Sequence, residues 1–364
     1  MDDVVLVIGT RKGLFTARSR RGRAEWEVAP VAFPSTPVTA AAVDPADGRI
    51  LAAVHSPFWG VSLVESRDHG RTWSEPAGED DAAPVAFPPS TEASLNDIWQ
   101  LRFSPTQPDV VYAGVEPAAL FRSEDGGRTF SLVEGLWDHP HRPLWHPGGG
   151  GLCLHTVLPH PNDPNTLVVA ISTGGVYRTT DGGDTWEPRN RGIRADFLPE
   201  DPYPEYGQCV HKVDFHPDAP RRLFLQHHGG VYRSDDDGES WTRIDEGLPA
   251  DFGFPLLVHP HRPDTVYVLP LNSDEDRAPA GHHYQVCRSD DAGETWRSLT
   301  EGLPAEPCHA SVLRDAFCTD AADPAGLYFG TRDGCVYASR DEGESWTEIV
   351  RHLPDVLCLR AAVL

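Results

Sequence analysis

Two histidines recur at the same place in a repeated sequence pattern. His155 lies six residues before Pro161, and His211 lies six residues before Pro217. The two imidazoles are therefore predicted to occupy equivalent positions on neighbouring strands, and imidazole nitrogens suit Zn, Fe, Mn and Cu ions. The alternative is that both rings pack inside the fold without a ligand. The predicted site for a divalent transition metal draws on five histidines: His55, His155, His211, His227 and His228.

A metal at this site would activate water for hydrolysis of a small polar or anionic molecule. The residues predicted to be catalytic are Glu116, His155, His211 and Lys212, with Glu116 moving protons. Lys12 and Lys212 are the two lysines of the chain, and a compact ammonium group suits a carboxylate or phosphate. The alternative is that both lysines are solvated surface charges. The residues predicted to bind the ligand are basic or aromatic: Arg11, Lys12, Trp99, Arg102, Tyr206 and Arg332.

Carboxylates offer a second chemistry, because glycoside hydrolases use two of them on either side of the scissile bond. This hypothesis draws its acid and its base or nucleophile from five candidates: Glu116, Asp196, Glu205, Asp274 and Asp333. Four indole rings are candidates for stacking on sugar faces, although packing in the core is the alternative for each: Trp59, Trp99, Trp137 and Trp145. The expected ligand of this second site is a saccharide.

The elements that position these residues follow from an octet that occurs six times, Ser/Thr-x-Asp-x-Gly-x-Thr/Ser-Trp/Phe. Its aromatic ends are spaced 57, 56, 55, 55 and 50 residues apart. The Asp carboxylate accepts hydrogen bonds from the backbone and Gly supplies a positive φ, so the octet predicts a hairpin turn. The octet aspartates are assigned a structural role: Asp68, Asp125, Asp181, Asp236, Asp291 and Asp341. Four short antiparallel strands are predicted around each octet.

Repeats of this length predict an all-β fold, a single seven-bladed β-propeller over residues 1–364. The first blade lacks an inner strand, and the carboxyl-terminal segment is predicted to supply it by pairing with the amino-terminal blade. Six blades is the alternative if the first repeat is not a blade. The predicted blades are residues 4–28 with 356–364, then 38–74, 97–134, 152–190, 209–245, 254–300 and 309–350.

The octets are Asp-boxes, and the chain resembles the bacterial Asp-box (BNR-repeat) propellers, commonly labelled sialidase-like or exo-α-sialidase. Segments typical of this group are Gly9-Thr-Arg-Lys-Gly-Leu-Phe15, Gly114–Phe121, Gly150–Thr156 and Gly207–Lys212. The resemblance implies that the octets lie on the face opposite the active site. True sialidase activity is not expected, because the Arg-Ile-Pro segment of sialidases is missing from this chain. The blade pattern also resembles sortilin-type receptors, photosystem assembly-factor propellers and xyloglucan hydrolases. Because some of these families are not enzymes, the alternative function is a non-catalytic propeller that binds a protein partner through loops 75–97 and 192–208.

Charge and composition limit the partners and the compartment. The formal net charge is −24, with 31 basic against 55 acidic residues, which argues against nucleic acid and anionic membrane surfaces as partners. The start of the chain does not show the pattern of a secretory signal, and no apolar run has the length of a membrane span. Seven cysteines without framework spacing indicate thiols in a reducing compartment, so a cytoplasmic location is expected.

Overall fold

The computed structural model describes residues 3–75 and 84–364 as an all-β chain built from four-stranded antiparallel sheets, consistent with a β-propeller. The chain divides into two compact units. Unit 1 comprises Met1–Ser35, Gly192–Pro202 and His211–Leu364, and unit 2 comprises Thr36–Arg191 and Tyr203–Val210.

Short strands and tight turns alternate along the described chain. The strands of the first half are β1 (Val4–Thr10), β2 (Gly13–Arg20), β3 (Glu25–Val28), β4 (Val38–Val43), β5 (Ile50–Ser56), β6 (Gly60–Ser66), β7 (Asp97–Phe103), β8 (Val111–Glu116), β9 (Ala119–Ser123), β10 (Ser131–Leu132), β11 (Leu154–Pro159), β12 (Leu167–Ile171), β13 (Gly175–Thr179) and β14 (Glu187–Pro188). The strands of the second half are β15 (Val210–Phe215), β16 (Leu223–His227), β17 (Gly230–Ser234), β18 (Thr242–Arg243), β19 (Phe252–Val258), β20 (Val266–Leu271), β21 (Val286–Ser289), β22 (Arg297–Leu299), β23 (Val312–Thr319), β24 (Leu327–Thr331), β25 (Val336–Ser339), β26 (Thr347–Val350) and β27 (Val356–Val363). The helical segments among the described residues are short: α1 (Glu134–Trp137) and the 3-10 turns Pro89–Thr91, Arg142–Leu144 and Ala280–His282.

Unit 2 holds a three-stranded sheet, β4-β5-β6, and two four-stranded sheets, β7 to β10 and β11 to β14. Unit 1 holds two four-stranded sheets, β15 to β18 and β19 to β22, and an eight-stranded sheet in the order β26-β25-β24-β23-β27-β1-β2-β3. Within this large sheet β27 pairs antiparallel with β1, from Val4 opposite Val363 to Thr10 opposite Val356. The carboxyl-terminal strand therefore joins the amino-terminal hairpin, as the sequence predicts. Every residue of β1 is buried, which accounts for its continuous run of β-branched and other apolar side chains.

Each octet forms a turn closed by its own side chains. In the first, the Asp68 carboxylate accepts hydrogen bonds from the Thr72 amide at 2.9 Å, the Thr72 hydroxyl at 2.7 Å and the Ser66 hydroxyl at 2.8 Å. Gly70 adopts a φ of 80°, and its amide donates to the Ser66 hydroxyl. Such bonds favour the ionised form, so the pKa of each octet carboxyl lies below its usual range. The same arrangement recurs around Asp125, Asp181, Asp236, Asp291 and Asp341.

A buried ion pair links the two ends of the chain within unit 1. Arg23, between β2 and β3, lies 3.0 Å from Asp320, which follows β23, and the two side chains are 1% and 0% exposed. Asp320 also accepts from the Tyr328 hydroxyl at 2.7 Å and from the Ala322 and Gly326 amides. Arg23 in turn donates to the Pro324 carbonyl oxygen at 2.8 Å. This network fastens the amino-terminal hairpin to the turn between β23 and β24 of the same eight-stranded sheet.

Candidate functional site

Two carboxylates face each other across one hairpin of unit 2. Asp97 is the first residue of β7 and Glu116 is the last residue of β8, and the two are directly paired in the strand register. Paired residues of antiparallel strands project to the same side of the sheet, with Cβ atoms about 4.5–5.5 Å apart. The register shifts between Ile98 and Gln100, so Trp99 occupies a β-bulge, a feature that re-aims a side chain. Trp99 uses this position to donate from Nε1 to Glu116 Oε2 at 3.0 Å.

Asp97 is held by side chains of the preceding sheet. The Thr39 hydroxyl lies 2.8 Å from Asp97 Oδ1, and His55 Nδ1 lies 3.8 Å from Oδ2. Burial raises the pKa of the Asp97 carboxyl and outweighs the contacts that favour its ionised form. The Asp97 carboxyl is therefore biased towards keeping its proton.

Two donors oppose the effect of burial on Asp97. The Thr39 hydroxyl shares its proton between the Ile98 carbonyl oxygen at 2.9 Å and Asp97 Oδ1 at 2.8 Å. The Ile98 amide donates to the same Asp97 oxygen at 2.9 Å. Both bonds favour the ionised carboxylate, so the raised pKa of Asp97 comes from burial.

The Glu116 carboxylate lies beside the loop that precedes β11. A Cβ added at Gly151 would lie 2.5 Å from Glu116 Oε1, and Gly151 has a φ of +89°. Only glycine fits this backbone beside the carboxylate without a shift. The loop is anchored by the Thr173 hydroxyl, which donates to the His146 carbonyl oxygen. The Gly148–Gly151 run therefore gives the loop the room to pass close to the carboxylate.

Exposed aromatic rings stand in the turn next to His55. Phe58 and Trp59, between β5 and β6, are 85% and 89% exposed. By contrast, Trp145 is buried and donates to the Tyr177 hydroxyl at 3.0 Å, and Trp137 packs against Phe87. Of the four indoles considered for sugar stacking, Trp59 has an open face, Trp99 holds Glu116, and the other two pack inside the fold.

A second cluster, in unit 1, contains three histidines. His211 is buried, and its Nδ1 lies 2.6 Å from the Gly253 carbonyl oxygen, so Nδ1 carries the proton. His228 Nε2 lies 3.3 Å from Asp274 Oδ2, and the rings of His211 and His228 have centroids 5.6 Å apart. His227 accepts from the Gly229 amide at Nδ1, which leaves its proton on Nε2. Burial, with Arg314 nearby, lowers the pKa of His211 well below its usual range, and burial lowers that of His227 to about 3, so both rings are neutral.

His155 does not offer a lone pair to a metal in this structure. Its Nε2 lies 2.9 Å from the Val210 carbonyl oxygen and its Nδ1 lies 3.0 Å from the Thr156 hydroxyl. Because a carbonyl oxygen only accepts, Nε2 is the protonated nitrogen, and Nδ1 is taken by Thr156. His155 is thus packed inside the fold, His55 contacts Asp97, and their part in a metal site stays a prediction. His227 is also unsuited, because the Gly229 amide occupies its Nδ1.

Lys212 lies against an internal carboxylate. Its ammonium group is 2.8 Å from Asp315 Oδ1, and Arg360 Nη2 is 3.0 Å from the same oxygen. Although burial opposes ionisation, the two cations hold the pKa of Asp315 well below its usual range. Lys212 is therefore the partner of Asp315 in this structure, and its catalytic role stays a prediction.

The other residues predicted to bind a ligand have the following surroundings. Arg11 and Arg332 both contact Asp355, at 3.4 and 2.9 Å. Lys12 and Arg102 are exposed. Tyr206 packs on His141 with ring centroids 4.7 Å apart.

The remaining candidate carboxylates contact other residues in the structure. Asp196 contacts Arg194 at 2.6 Å, Glu205 lies 4.0 Å from His141, and Asp333 accepts from the Thr331 hydroxyl. Of the loops considered for protein docking, residues 76–83 of the first lie outside the described residues. In the second loop, Phe197 and Tyr203 are 43% and 56% exposed.

Sequence reasoning missed Asp97 and Thr39. The signal in the sequence was incomplete, because regular pairing from Phe103 opposite Val111 would set Ile98 opposite Glu116, and the bulge at Trp99 is what brings Asp97 there. Thr39 becomes visible only when the neighbouring sheet is in place.

Comparison with known proteins relates the chain to polysaccharide-degrading enzymes. The oligoxyloglucan-reducing end-specific xyloglucanase of Emericella nidulans is 26% identical over 286 residues, which cover 70% of this chain and 32% of that enzyme. A xyloglucanase of Hypocrea jecorina is 25% identical, covering 76% of this chain and 34% of that enzyme. The chain thus spans about a third of the length of these curated relatives. No protein-family profile matches the chain.

Solved structures support the propeller fold. The periplasmic gluconolactonase of Pseudomonas aeruginosa matches 100% of this chain and 99% of its own, with a TM-score of 0.59 at 13% identity. An ancestral GH74 enzyme matches 86% of this chain and 38% of its own, with a TM-score of 0.56 at 15% identity. YCF48 of Cyanidioschyzon merolae matches 85% of this chain and 84% of its own, with a TM-score of 0.54 at 14% identity. The homologues are xyloglucanases and the neighbours are propellers, and the sialidase-like label predicted from the sequence gains no support. Among the described residues, no helix has the length and apolarity to cross a membrane.

Proposed function

We propose that this chain hydrolyses a glycosidic bond, with Asp97 as general acid and Glu116 as general base. The observation that carries the proposal is the directly paired Asp97 and Glu116, one of which is biased towards its protonated form. Two carboxyl groups whose environments separate their protonation states are what an acid–base pair requires. The xyloglucanase relatives support this reading over a sialidase or a metal-dependent hydrolase.

In the proposed reaction Asp97 gives its proton to the leaving glycosidic oxygen as the bond to the anomeric carbon breaks. A water molecule attacks that carbon, and Glu116 accepts the proton that the water loses. Trp99 Nε1 holds one oxygen of Glu116 and fixes the direction of the other. The products are two shorter saccharides, one with a new reducing end.

The orientation of the two carboxyls favours inversion of the anomeric configuration. Asp97 contacts Thr39 and Glu116 lies beside Gly151, so the two carboxyls have separate neighbours, and we propose that from a Cβ spacing of about 5 Å they stand far enough apart to admit a water. Inverting enzymes separate the carboxyls by about 6.5–9.5 Å to admit a water, whereas retaining enzymes use about 5–5.5 Å.

The substrate proposed is a neutral β-glucan oligosaccharide such as xyloglucan. Phe58 and Trp59 present open rings in the turn beside His55, which suits stacking on pyranose faces. We also propose that the sheets form seven blades, with the eight-stranded sheet counted as two and β27 as the inner strand of the first.

The test is release of reducing ends from a panel of xyloglucan and cello-oligosaccharides by the full chain. Asp97→Asn and Glu116→Gln are each expected to lower kcat by about 10²–10⁴-fold. Glu134→Gln, at an exposed carboxylate of the same unit, is the matched control and is expected to leave kcat unchanged. Proton NMR of the first-formed anomer reports the stereochemistry. Absence of hydrolysis across the panel by the folded protein, or full activity of either pair variant, would overturn the proposal.

A further inference from the structure

We propose that unit 1 binds a late first-row divalent metal ion through Nε2 of His211 and Nδ1 of His228. The two imidazoles offer ring nitrogens within 4.8 Å of one another. Two nitrogens bound to one Zn²⁺ at about 2.0–2.1 Å are at most about 4.2 Å apart. A small rotation of His228, which is 30% exposed, closes the remaining distance.

The hydrogen bonds of both rings are those of metal-binding histidines. A ligating imidazole usually donates its second N–H to a carbonyl oxygen or a carboxylate, which fixes the tautomer and orients the ring. His211 donates from Nδ1 to the Gly253 carbonyl oxygen at 2.6 Å. His228 directs Nε2 to Asp274 Oδ2 at 3.3 Å. In each ring the other nitrogen carries the lone pair, as the proposed ligation requires.

The surroundings of the pair supply a low-polarity wall and an additional donor. Phe252 packs on both rings, with centroids 5.3 Å from His211 and 5.2 Å from His228. Phe197 packs on His228 and stacks on His227. His227 is fully buried, and its Nε2 has no hydrogen-bond partner within the part of the chain that the structure describes. A water or an anion bound to the metal is the kind of acceptor that this buried N–H lacks.

The donor set selects the class of metal. Neutral imidazoles favour Zn²⁺, Cu²⁺ and Ni²⁺, whereas Mg²⁺ and Ca²⁺ prefer oxygen ligands. Asp274 contributes a negative charge beside His228, while Arg277 and Arg314 have their guanidinium groups over the ring of Phe254. The proposed site lies within unit 1, whereas Asp97 and Glu116 lie within unit 2, so the proposal is independent of the glycosidase proposal.

Calorimetric titration of chelator-treated full-length protein with Zn²⁺ tests the site, with Mg²⁺ as the comparison ion. One equivalent of Zn²⁺ is expected to bind, and Mg²⁺ is not. His228→Ala is expected to weaken Zn²⁺ binding at least tenfold, and Asp274→Asn, which removes the orienting carboxylate, by about 10–100-fold. His283→Ala, an exposed histidine of the same unit, is the matched control and should bind as the unmodified protein does.

The Cu²⁺ form gives a readout that does not depend on affinity. Its electron paramagnetic resonance spectrum is expected to show nitrogen coupling that is reduced in His228→Ala and in His211→Gln. Circular dichroism establishes whether each variant is folded. If the variant of the buried His211 is unfolded, the comparison of His228→Ala with the unmodified protein decides the test. Binding of less than about a tenth of an equivalent of Zn²⁺, or equal loss in the His283 control, would overturn the proposal.

Discussion

The Arg23–Asp320 pair allows a quantitative test of how the chain ends are held together. Asp320 receives Arg23, the Tyr328 hydroxyl and two backbone amides, whereas Arg23 has Asp320 and the Pro324 carbonyl oxygen as partners. Asp320→Asn leaves a guanidinium buried without a countercharge, and breaking such a pair costs about 3–5 kcal/mol of unfolding free energy. Arg23→Met leaves Asp320 with three donors, so its cost is expected to be smaller, about 1–3 kcal/mol.

Urea denaturation followed by near-ultraviolet circular dichroism measures both changes. The double variant is expected to lose less than the sum of the single losses, because neither residue then leaves a buried charge behind. The surface pair Arg20–Glu27, with side chains 68% and 66% exposed, is the control, and Glu27→Gln is expected to cost under about 1 kcal/mol. If Asp320→Asn lowered the unfolding free energy no more than Arg23→Met does, the argument that Asp320 has more alternative partners than Arg23 would be refuted.

Three further outcomes are expected. Hydrogen bonds from Thr129 and Ser123 outweigh burial and lower the pKa of Asp125 from 3.8 to about 2. Because the pKa in the folded protein lies below that in the unfolded chain, this stabilisation is present above pH 4 and is lost as the pH falls towards 2. Urea titrations at pH 7, 4 and 2.5 should therefore show a smaller loss of unfolding free energy on acidification in Asp125→Asn than in the unmodified protein. Because the Thr39 hydroxyl donates to Asp97 and lowers its pKa, Thr39→Val should move the alkaline limb of kcat to higher pH while Thr39→Ser restores it, and an unmoved limb would contradict the assignment of Asp97 as the acid. Trp59→Ala should raise KM for oligosaccharides about two- to tenfold without changing the urea midpoint, because the ring is 89% exposed, and an unchanged KM would remove it from the binding surface.

Short-range chemistry explains which features the sequence could predict. Each octet is closed by contacts between residues two and four positions apart, such as Ser66, Asp68 and Thr72, so its turn can be recognised from spacing alone. The pairing of β27 with β1 was also predictable, because the first repeat lacks an inner strand and the tail has the apolar pattern of one. The seven-blade count remains a proposal.

The site depended on features that spacing does not encode. The β-bulge at Trp99 shifts the register by one residue, so strict alternation from Gln100 would misplace Asp97 and Glu116 relative to the rest of the hairpin. His155 and His211 occupy equivalent positions, yet their protonated nitrogens differ: Nε2 of His155 meets the Val210 carbonyl oxygen, and Nδ1 of His211 meets that of Gly253. Equivalent positions in a repeat therefore do not imply equivalent availability to a metal.

The surroundings of Lys212 likewise depend on contacts that spacing does not encode. Lys212 and Arg360 share one oxygen of Asp315, and all three side chains are largely buried. Removing the carboxylate and removing one of its two cations therefore have different consequences. Without Asp315 two buried positive charges remain, whereas without Lys212 Asp315 is still paired with Arg360. Asp315→Asn is therefore expected to destabilise the fold more than Lys212→Met, and the order of their urea midpoints checks this. The first explanation for a basic residue on a strand, such as Lys212, is therefore an acidic residue on a neighbouring strand. Binding of a ligand is the explanation to test where the described structure gives no such acid, as at Lys12, which is exposed in the turn between β1 and β2.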